Sequence, residues 1–375
     1  MAEMKTRKEE ALQYEHWLMN VRPCVGVRAR RLLRSHFGSA ADVYRASFRQ
    51  LCAVEGVSEA QAHAVCESKK VWDLDAYFAL AETGVRLVTE QMREYPKRLS
   101  EQKGMPDVFY SAGRMPEEGP SAAIIGSREC TAYGEEMARW ISAELAVRGV
   151  QIISGMARGI DGAAHAGALA AGGRTIGILG CGIDICYPRE HIQLYMNMRE
   201  RGGLLSEYPP TTPARGRHFP ARNRLISALA DVVIVVETRL RGGSFITVDF
   251  ALEQGKEVYA VPGRIGDVCS SGCNRLISQG AWLLESPETV VERLFPGGKE
   301  SVNLLCETQI SLATDEKLVY SCLDLCPAGL EDILLRTELT AAKALPALLA
   351  LELKGLVKET AKQYCRVAAA VCELK

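Results

Sequence analysis

No stretch of the 375-residue sequence approaches the roughly 18–20 apolar residues that a membrane-spanning helix needs. Cys-x-x-Cys spacing is absent as well. The nearest cysteine pairs are Cys181/Cys186, Cys269/Cys273 and Cys322/Cys326, with no histidine at metal-ligand spacing beside them. That argues against a zinc module, and the 13 scattered cysteines, an odd number, read as free thiols. No metal or cofactor is expected. The start, MAEMKTRKEEALQ, is charged and has no apolar run of the signal-peptide kind, so a cytoplasmic location is expected. Charge of one sign is also missing: 45 Lys and Arg against 46 Asp and Glu leave a net charge of −1. Any affinity for nucleic acid must therefore come from a local patch.

Catalytic sets are scarce. Of six histidines, His165 falls inside a helical stretch and reads as structural. Cys181 stands between two glycines without a His or Asn partner and reads as a buried thiol. Glu207 and Glu237 end strands and read as carboxylates that orient arginines rather than as acid–base groups. Asp161 reads as a brace for the loop that carries Arg158.

What is present is rhythm. Residues 1–72 read as short helices, starting with His16–Met19 before a turn at Val21–Gly26, and then Val27–His36, Ala40–Arg45, Ser47–Val54 and Ser58–Ser68. From residue 73 to 297 strands and helices alternate. The apolar strand candidates from Ala122–Ile125 to Glu257–Val261 are separated by helices such as Ile160–Ala171, Arg222–Ala230 and Phe245–Gln254. Such alternation predicts a parallel α/β sheet covered on both faces. The β-branched run Val232–Val236 suits a central strand. Residues 298–314 read as a linker. Residues 315–375 read as three helices and a hairpin, a winged helix, whose third helix Pro346 is expected to interrupt.

In open α/β sheets ligands bind beyond the C-terminal strand ends. Here those ends carry Gly126-Ser127-Arg128, Ser154–Gly162, Gly180-Cys181-Gly182, Ser206–Pro210, Arg241-Gly242-Gly243-Ser244 and Pro262-Gly263-Arg264. Glycine lets backbone N–H groups approach an anion, helix N-termini add partial positive charge, and arginine adds bidentate phosphate contact. The segment Thr211–Arg224 holds Arg215, Arg217, His218, Arg222 and Arg224 around Phe219 and contains no acid. Cations that follow a backbone, with a ring that stacks on a base, make a platform for a single strand. The tail lacks such features: from Asp315 to Arg366 it has eight acids and seven bases, and its third helix is mostly Ala and Leu, without the Arg, Asn or Gln of a major-groove reader.

These blocks resemble the signatures of the DNA-processing protein A (DprA/Smf) family. They include Ile125–Arg128, Ser154–Asp161, Thr175–Gly182, Tyr187-Pro188, Ser206–Pro209, Phe219–Ile226, Gly243–Thr247 and Ala260–Gly263, in order along the chain. The resemblance implies an N-terminal helical domain of SAM or helix-hairpin-helix kind, an extended Rossmann-like domain and a winged-helix tail. It implies a non-catalytic, typically homodimeric protein that binds single-stranded DNA, protects it and loads the bacterial recombinase during natural transformation. By motif, Arg128 clamps a phosphate and Arg158 is a basic contact. Phe219 stacks on a base, with Arg222, Asn223 and Arg224 in the same pocket. Gly126, Ser127, Gly155, Gly243 and Ser244 supply backbone or hydroxyl contacts. The chain has Pro23-Cys24-Val25-Gly26 where the family has Pro-Gly-Val-Gly, and Gly242 where the family often has Ser. The alternative is a Rossmann-like nucleotide hydrolase of the lysine-decarboxylase-like group, which the Gly242-Gly243-Ser244 turn vaguely suggests although its following glutamate is absent.

Overall fold

The computed structural model describes residues 2–21, 25–296, 312–323, 328–360 and 363–366. Part of the turn expected at Val21–Gly26 and most of the linker expected at 298–314 lie outside the described residues. Short helices come first: α1 (Ala2–Asn20), α2 (Val27–Phe37), α3 (Ala40–Arg45), α4 (Phe48–Cys52) and α5 (Glu59–Val71). Ser47 and Ser58 cap α4 and α5, and Gln50 and Gln61 reach back to close each capping box. Helices this short are marginal alone. They gather Trp17, Leu18, Leu33, Leu51 and Val65 into one shared core. α1 runs well past the expected His16–Met19 because the Lys, Glu, Arg and Ala before it are strong helix formers.

Next come α6 (Ala76–Glu82), β1 (Val85–Thr89), α7 (Lys97–Ser100) and β2 (Val108–Gly113). Alternation then begins with β3 (Ser121–Ile125), α8 (Ala132–Val147), β4 (Gln151–Ser154), α9 (Ile160–Ala170), β5 (Thr175–Ile178) and α10 (Ile192–Glu200). It continues with β6 (Gly203–Ser206), α11 (His218–Leu229), β7 (Val232–Val235), α12 (Ser244–Glu253) and β8 (Glu257–Ala260). Three further elements follow: α13 (Ser271–Ser278), β9 (Trp282–Leu283) and α14 (Pro287–Leu294). The nine strands form one sheet in the order β1-β2-β6-β5-β4-β3-β7-β8-β9. Pairing is parallel from β6 to β9 and antiparallel at β1–β2 and β2–β6.

Strand residues alternate between faces. Val233 and Val235 enter one core with Leu225 and Val248, while Val232 and Ile234 enter the other with Ile141 and Ile160. Each fully buried aliphatic side chain stabilises the fold by roughly 1.5–3 kcal/mol, which is why β7 is apolar on both faces. The strand order has a functional consequence. From β3 the chain winds outward through β4, β5 and β6, then returns to place β7 on the other side of β3. The C-terminal ends of β3 and β7 therefore flank a topological switch point.

The helical layer rests on this sheet. Arg34 pairs with Asp107 and, at 2.7 Å, with Glu15, and Arg31 Nη2 donates to the Met105 carbonyl at 2.8 Å. At the C-terminal end α15 (Thr314–Cys322), β10 (Ala328–Gly329), α16 (Leu330–Thr337), α17 (Ala341–Leu353), β11 (Val357–Thr360) and β12 (Gln363–Arg366) form a winged helix, its small sheet ordered β10-β12-β11. Pro346 does not interrupt the third helix; it lies inside α17. Its missing N–H leaves the Ala342 carbonyl without a helical donor, and both residues are on the exposed face, where that carbonyl meets solvent.

Candidate functional site

At the switch point the loops after β3 and β7 open into a cleft of about 620 Å³. The loop after β3 contributes Gly126, Ser127 and Arg128; the start of α11 contributes Phe219, Arg222 and Asn223; the start of α12 contributes Gly243 and Ser244. A Cβ on Gly126 would lie 2.5 Å from Ile160 Cγ1 and 2.8 Å from the Glu237 carbonyl, so this glycine lets strand end, helix and neighbouring loop close together. Gly243, by contrast, has open space around it and caps α12, which has no side-chain cap. The start of a ten-residue helix thus lines the cleft, its Phe245 and Ile246 N–H groups bonded at 3.2 Å to the Gly242 and Gly243 carbonyls, and its dipole favours an anion there.

Arg128 is exposed, and its guanidinium lies 4.8 Å from the centroid of the Phe219 ring, in cation–π contact. Among the described residues it has no carboxylate partner, and neither has Arg241, which also lines the cleft. Phe219 is not the exposed centre of a loop, as the sequence suggests. It sits in the first turn of α11, half-buried, its edge against Gly180, where a Cβ would come within 2.9 Å of Phe219 Cδ1. The Tyr187 ring lies 5.5 Å from it and is 45% exposed.

Helical geometry separates the two arginines of Arg222-Asn223-Arg224. Arg222 follows Phe219 by three residues and shares its face. It is 2% exposed, and Nη1 donates to the Gly155 carbonyl at 2.6 Å and to the Ile178 carbonyl. It ties the ends of β4 and β5 together beneath the cleft. Burial holds its pKa down to about 10, and burial likewise holds the carboxyl of nearby Asp161 above its ordinary range. Arg224, two residues on, is turned by about 200°. It pairs with the buried carboxylate of Glu207 and lines a different cleft, not the pocket expected from the motif.

Two other expected contacts also lie outside the cleft lining. Gly155 lies beneath Arg222, and a Cβ there would come within 2.5 Å of Asp161 Oδ2. Arg158 is an exposed rim residue whose Nη2 donates to Glu190 Oε2 at 2.7 Å. The Pro262-Gly263-Arg264 turn contributes nothing to the cleft lining. Asp161 does brace its loop, accepting from the Ala157 N–H at 3.4 Å.

Among the described residues Glu237 pairs with no arginine. It accepts from Thr131 N at 2.8 Å and Thr131 Oγ1 at 2.6 Å, securing the start of α8. Burial pushes the Cys181 thiol up to about 12, so it is no nucleophile near neutral pH. Tyr187, Arg239 and Arg241 also line the cleft, although none of them was assigned a ligand contact from the sequence. Arg241 was legible in its Arg-Gly-Gly-Ser turn, whereas the approach of Tyr187 to Phe219 depends on how two distant loops pack.

The model of the DNA recombination-mediator protein A family matches residues 86–295, and that of the DprA winged helix domain matches residues 307–361. The DNA processing protein DprA of Bacillus subtilis is 41% identical over 218 residues, which is 58% of this chain and 73% of that protein. Protein Smf of Escherichia coli is 42% identical over 217 residues, 57% of this chain and 58% of that one. The X-ray structure of DNA processing protein A from Streptococcus pneumoniae superimposes with a TM-score of 0.65 at 30% identity, covering 76% of this chain and 98% of that one. A Helicobacter pylori DNA processing protein A structure, described for its single-stranded DNA binding mode, aligns at a TM-score of 0.51 and 30% identity over 56% of this chain and 95% of that one. With its sheet and its winged helix both matched, the chain belongs to the DNA-processing protein A (DprA/Smf) family.

Proposed function

We propose that this protein binds single-stranded DNA in the switch-point cleft, without catalysing a reaction on it. The observation that carries this reading is the juxtaposition of a half-buried ring with unpaired guanidinium groups. Arg128 over Phe219, Arg241 in the lining and the dipole of α12 suit phosphates, while Tyr187 and Phe219 offer ring surface to a base. The two carboxylates that line the cleft are already engaged, Asp161 by the Ala157 N–H and Glu129 by Arg239, which speaks against the nucleotide-hydrolase alternative. The Helicobacter pylori relative was described with single-stranded DNA, which supports the same ligand here. In this reading the chain works as three units, residues 1–72, 73–297 and 315–375, and acts as a homodimer that protects incoming strands and loads the bacterial recombinase in the cytoplasm.

Titrating a short single strand and its duplex at several salt concentrations tests the ligand class. The single strand is expected to bind more tightly, with log K falling by about 0.7 per phosphate contact for each decade of salt. Phe219→Ala is expected to weaken single-strand binding roughly five- to 150-fold, the equivalent of about 1–3 kcal/mol for a lost stack. Equal affinity for both forms, or a Phe219→Ala variant that binds normally, would sink the proposal.

A further inference from the structure

A second cleft, of about 450 Å³, lies on the far side of the 211–217 segment. One wall comes from the helical layer, with Val25, Gly26 and Arg30; the other comes from the sheet domain, with Arg215, Arg217 and Arg224. Residues of the intervening segment face alternate sides. Ala214 and Gly216 line the first cleft, and Arg215 and Arg217 line the second.

This second cleft is positively charged beyond what its own pairs neutralise. Glu207 lies in its lining, and Arg224 already pairs with it. Among the described residues Arg215 and Arg217 are exposed and have no carboxylate partner. Arg30 is only 9% exposed; Nη1 donates to the Val25 carbonyl at 3.2 Å, while among the described residues the buried Nε has no hydrogen-bond partner. A buried guanidinium with an unmet N–H is costly, and negative charge in the cleft that Arg30 lines would be favoured beside it. The eleven-residue helix α2 opens on the same space from Gly26, with no side-chain cap on its N–H groups.

We propose that a strand held in the first cleft crosses the 211–217 ridge and seats one of its phosphodiesters in the second, against Arg30, Arg215, Arg217 and the start of α2. The inference rests on the single-strand reading above. It makes the helical layer part of the nucleic-acid path through an arginine in α2.

Oligothymidylates of about 4 to about 16 nucleotides, the span a single-strand site covers, separate the two clefts by length. The full-length chain carrying Arg215→Ala and Arg217→Ala is compared with the unsubstituted chain and with Arg128→Ala. Both substituted arginines are exposed, so the fold is not at stake. The double variant is expected to bind the shortest strands normally and the longer ones more weakly, with the salt slope for long strands reduced by about 1.4 for two lost contacts. Arg30→Met, which keeps the stem and removes the charge, is expected to show the same length-selective loss. Arg128→Ala should weaken binding at every length. Unchanged binding of long strands by the double variant, or a loss equal at all lengths, overturns the second subsite while the single-strand reading stands. Failure of the unsubstituted chain to bind any length overturns both.

Discussion

Within α9, His165 is fully buried, and its Nδ1 lies 2.6 Å from Thr175 Oγ1. The Thr175 hydroxyl donates its own proton to the Ile152 carbonyl at 3.1 Å, so Nδ1 must carry the hydrogen that joins the pair. Nε2 is then a bare, buried acceptor with no partner among the described residues, and protonating it would bury a charge near Arg222 and His191. Burial accordingly holds His165 down to about 3, and it holds His16 down to about 4. The unfolded chain takes up these protons near pH 6.5 and the folded chain resists them. The stability that neutral histidine contributes is thus fully present above pH 6.5 and is lost as pH falls through the acid range toward the folded values. At pH 4 the loss from His165 alone amounts to roughly 3 kcal/mol, at about 1.36 kcal/mol per pH unit. Urea unfolding midpoints between pH 7 and pH 4 should fall for the unsubstituted chain and fall less for His165→Asn, which keeps a donor for Thr175 and does not titrate. Parallel curves would refute the assignment. A sequence shows a histidine in a helix; it does not show that Thr175 will stand opposite it.

At the scale of elements, the placement of Phe219 depends on the meeting of α11 with the loop after β5. Gly180 keeps an ordinary φ, so alanine is compatible with its backbone. The added Cβ would press on the ring at 2.9 Å, and the ring would have to move, carrying the Arg128 guanidinium stacked on it. Gly180→Ala is therefore expected to cost about 1–3 kcal/mol of stability through overpacking. It should also weaken single-strand binding at least about fivefold, the equivalent of about 1 kcal/mol of stacking. A titration of the folded variant decides this, and unchanged affinity would show that the ring position does not govern binding. Much at this scale was legible. The parallel core from Ser121 to Ala260 follows from β-branched runs separated by helical stretches, and the phosphate-type loops follow from their glycines. Other features were not. α11 begins at His218 rather than Arg222 because Arg217 gives no side-chain capping signal. α13, α14 and the two-residue β9 are too short for periodicity to reveal them. The place of the antiparallel additions β1 and β2 beside β6 is a long-range pairing that local pattern does not show.

Across the whole molecule, a net charge of −1 conceals strong local segregation. Arg128, Arg241, Arg215 and Arg217 gather on both sides of one ridge at one sheet edge, where summed potential draws a polyanion from solution. The winged-helix tail is built differently. Its α17 presents Leu345, Leu349 and Leu353, exposed by 44%, 58% and 82%, at the four-residue spacing of a single helix face. A major-groove reader needs Arg, Asn or Gln on that face, because leucine offers base edges no hydrogen bond. Under the proposed reading DNA affinity is expected at the sheet edge, with the tail contributing little to single-strand or duplex binding. Replacing the three leucines by serine tests this without adding negative charge, which would repel DNA wherever it was placed. The triple variant should bind both DNA forms as the unsubstituted chain does, with the same salt slope. Because all three side chains already face solvent, the core around Val319, Leu348 and Leu351 stays intact, and stability should change by no more than about 0.5 kcal/mol per site. Weaker duplex binding with normal single-strand binding would mean that the tail touches DNA through its leucine face, and the division of labour between sheet edge and tail would have to be redrawn.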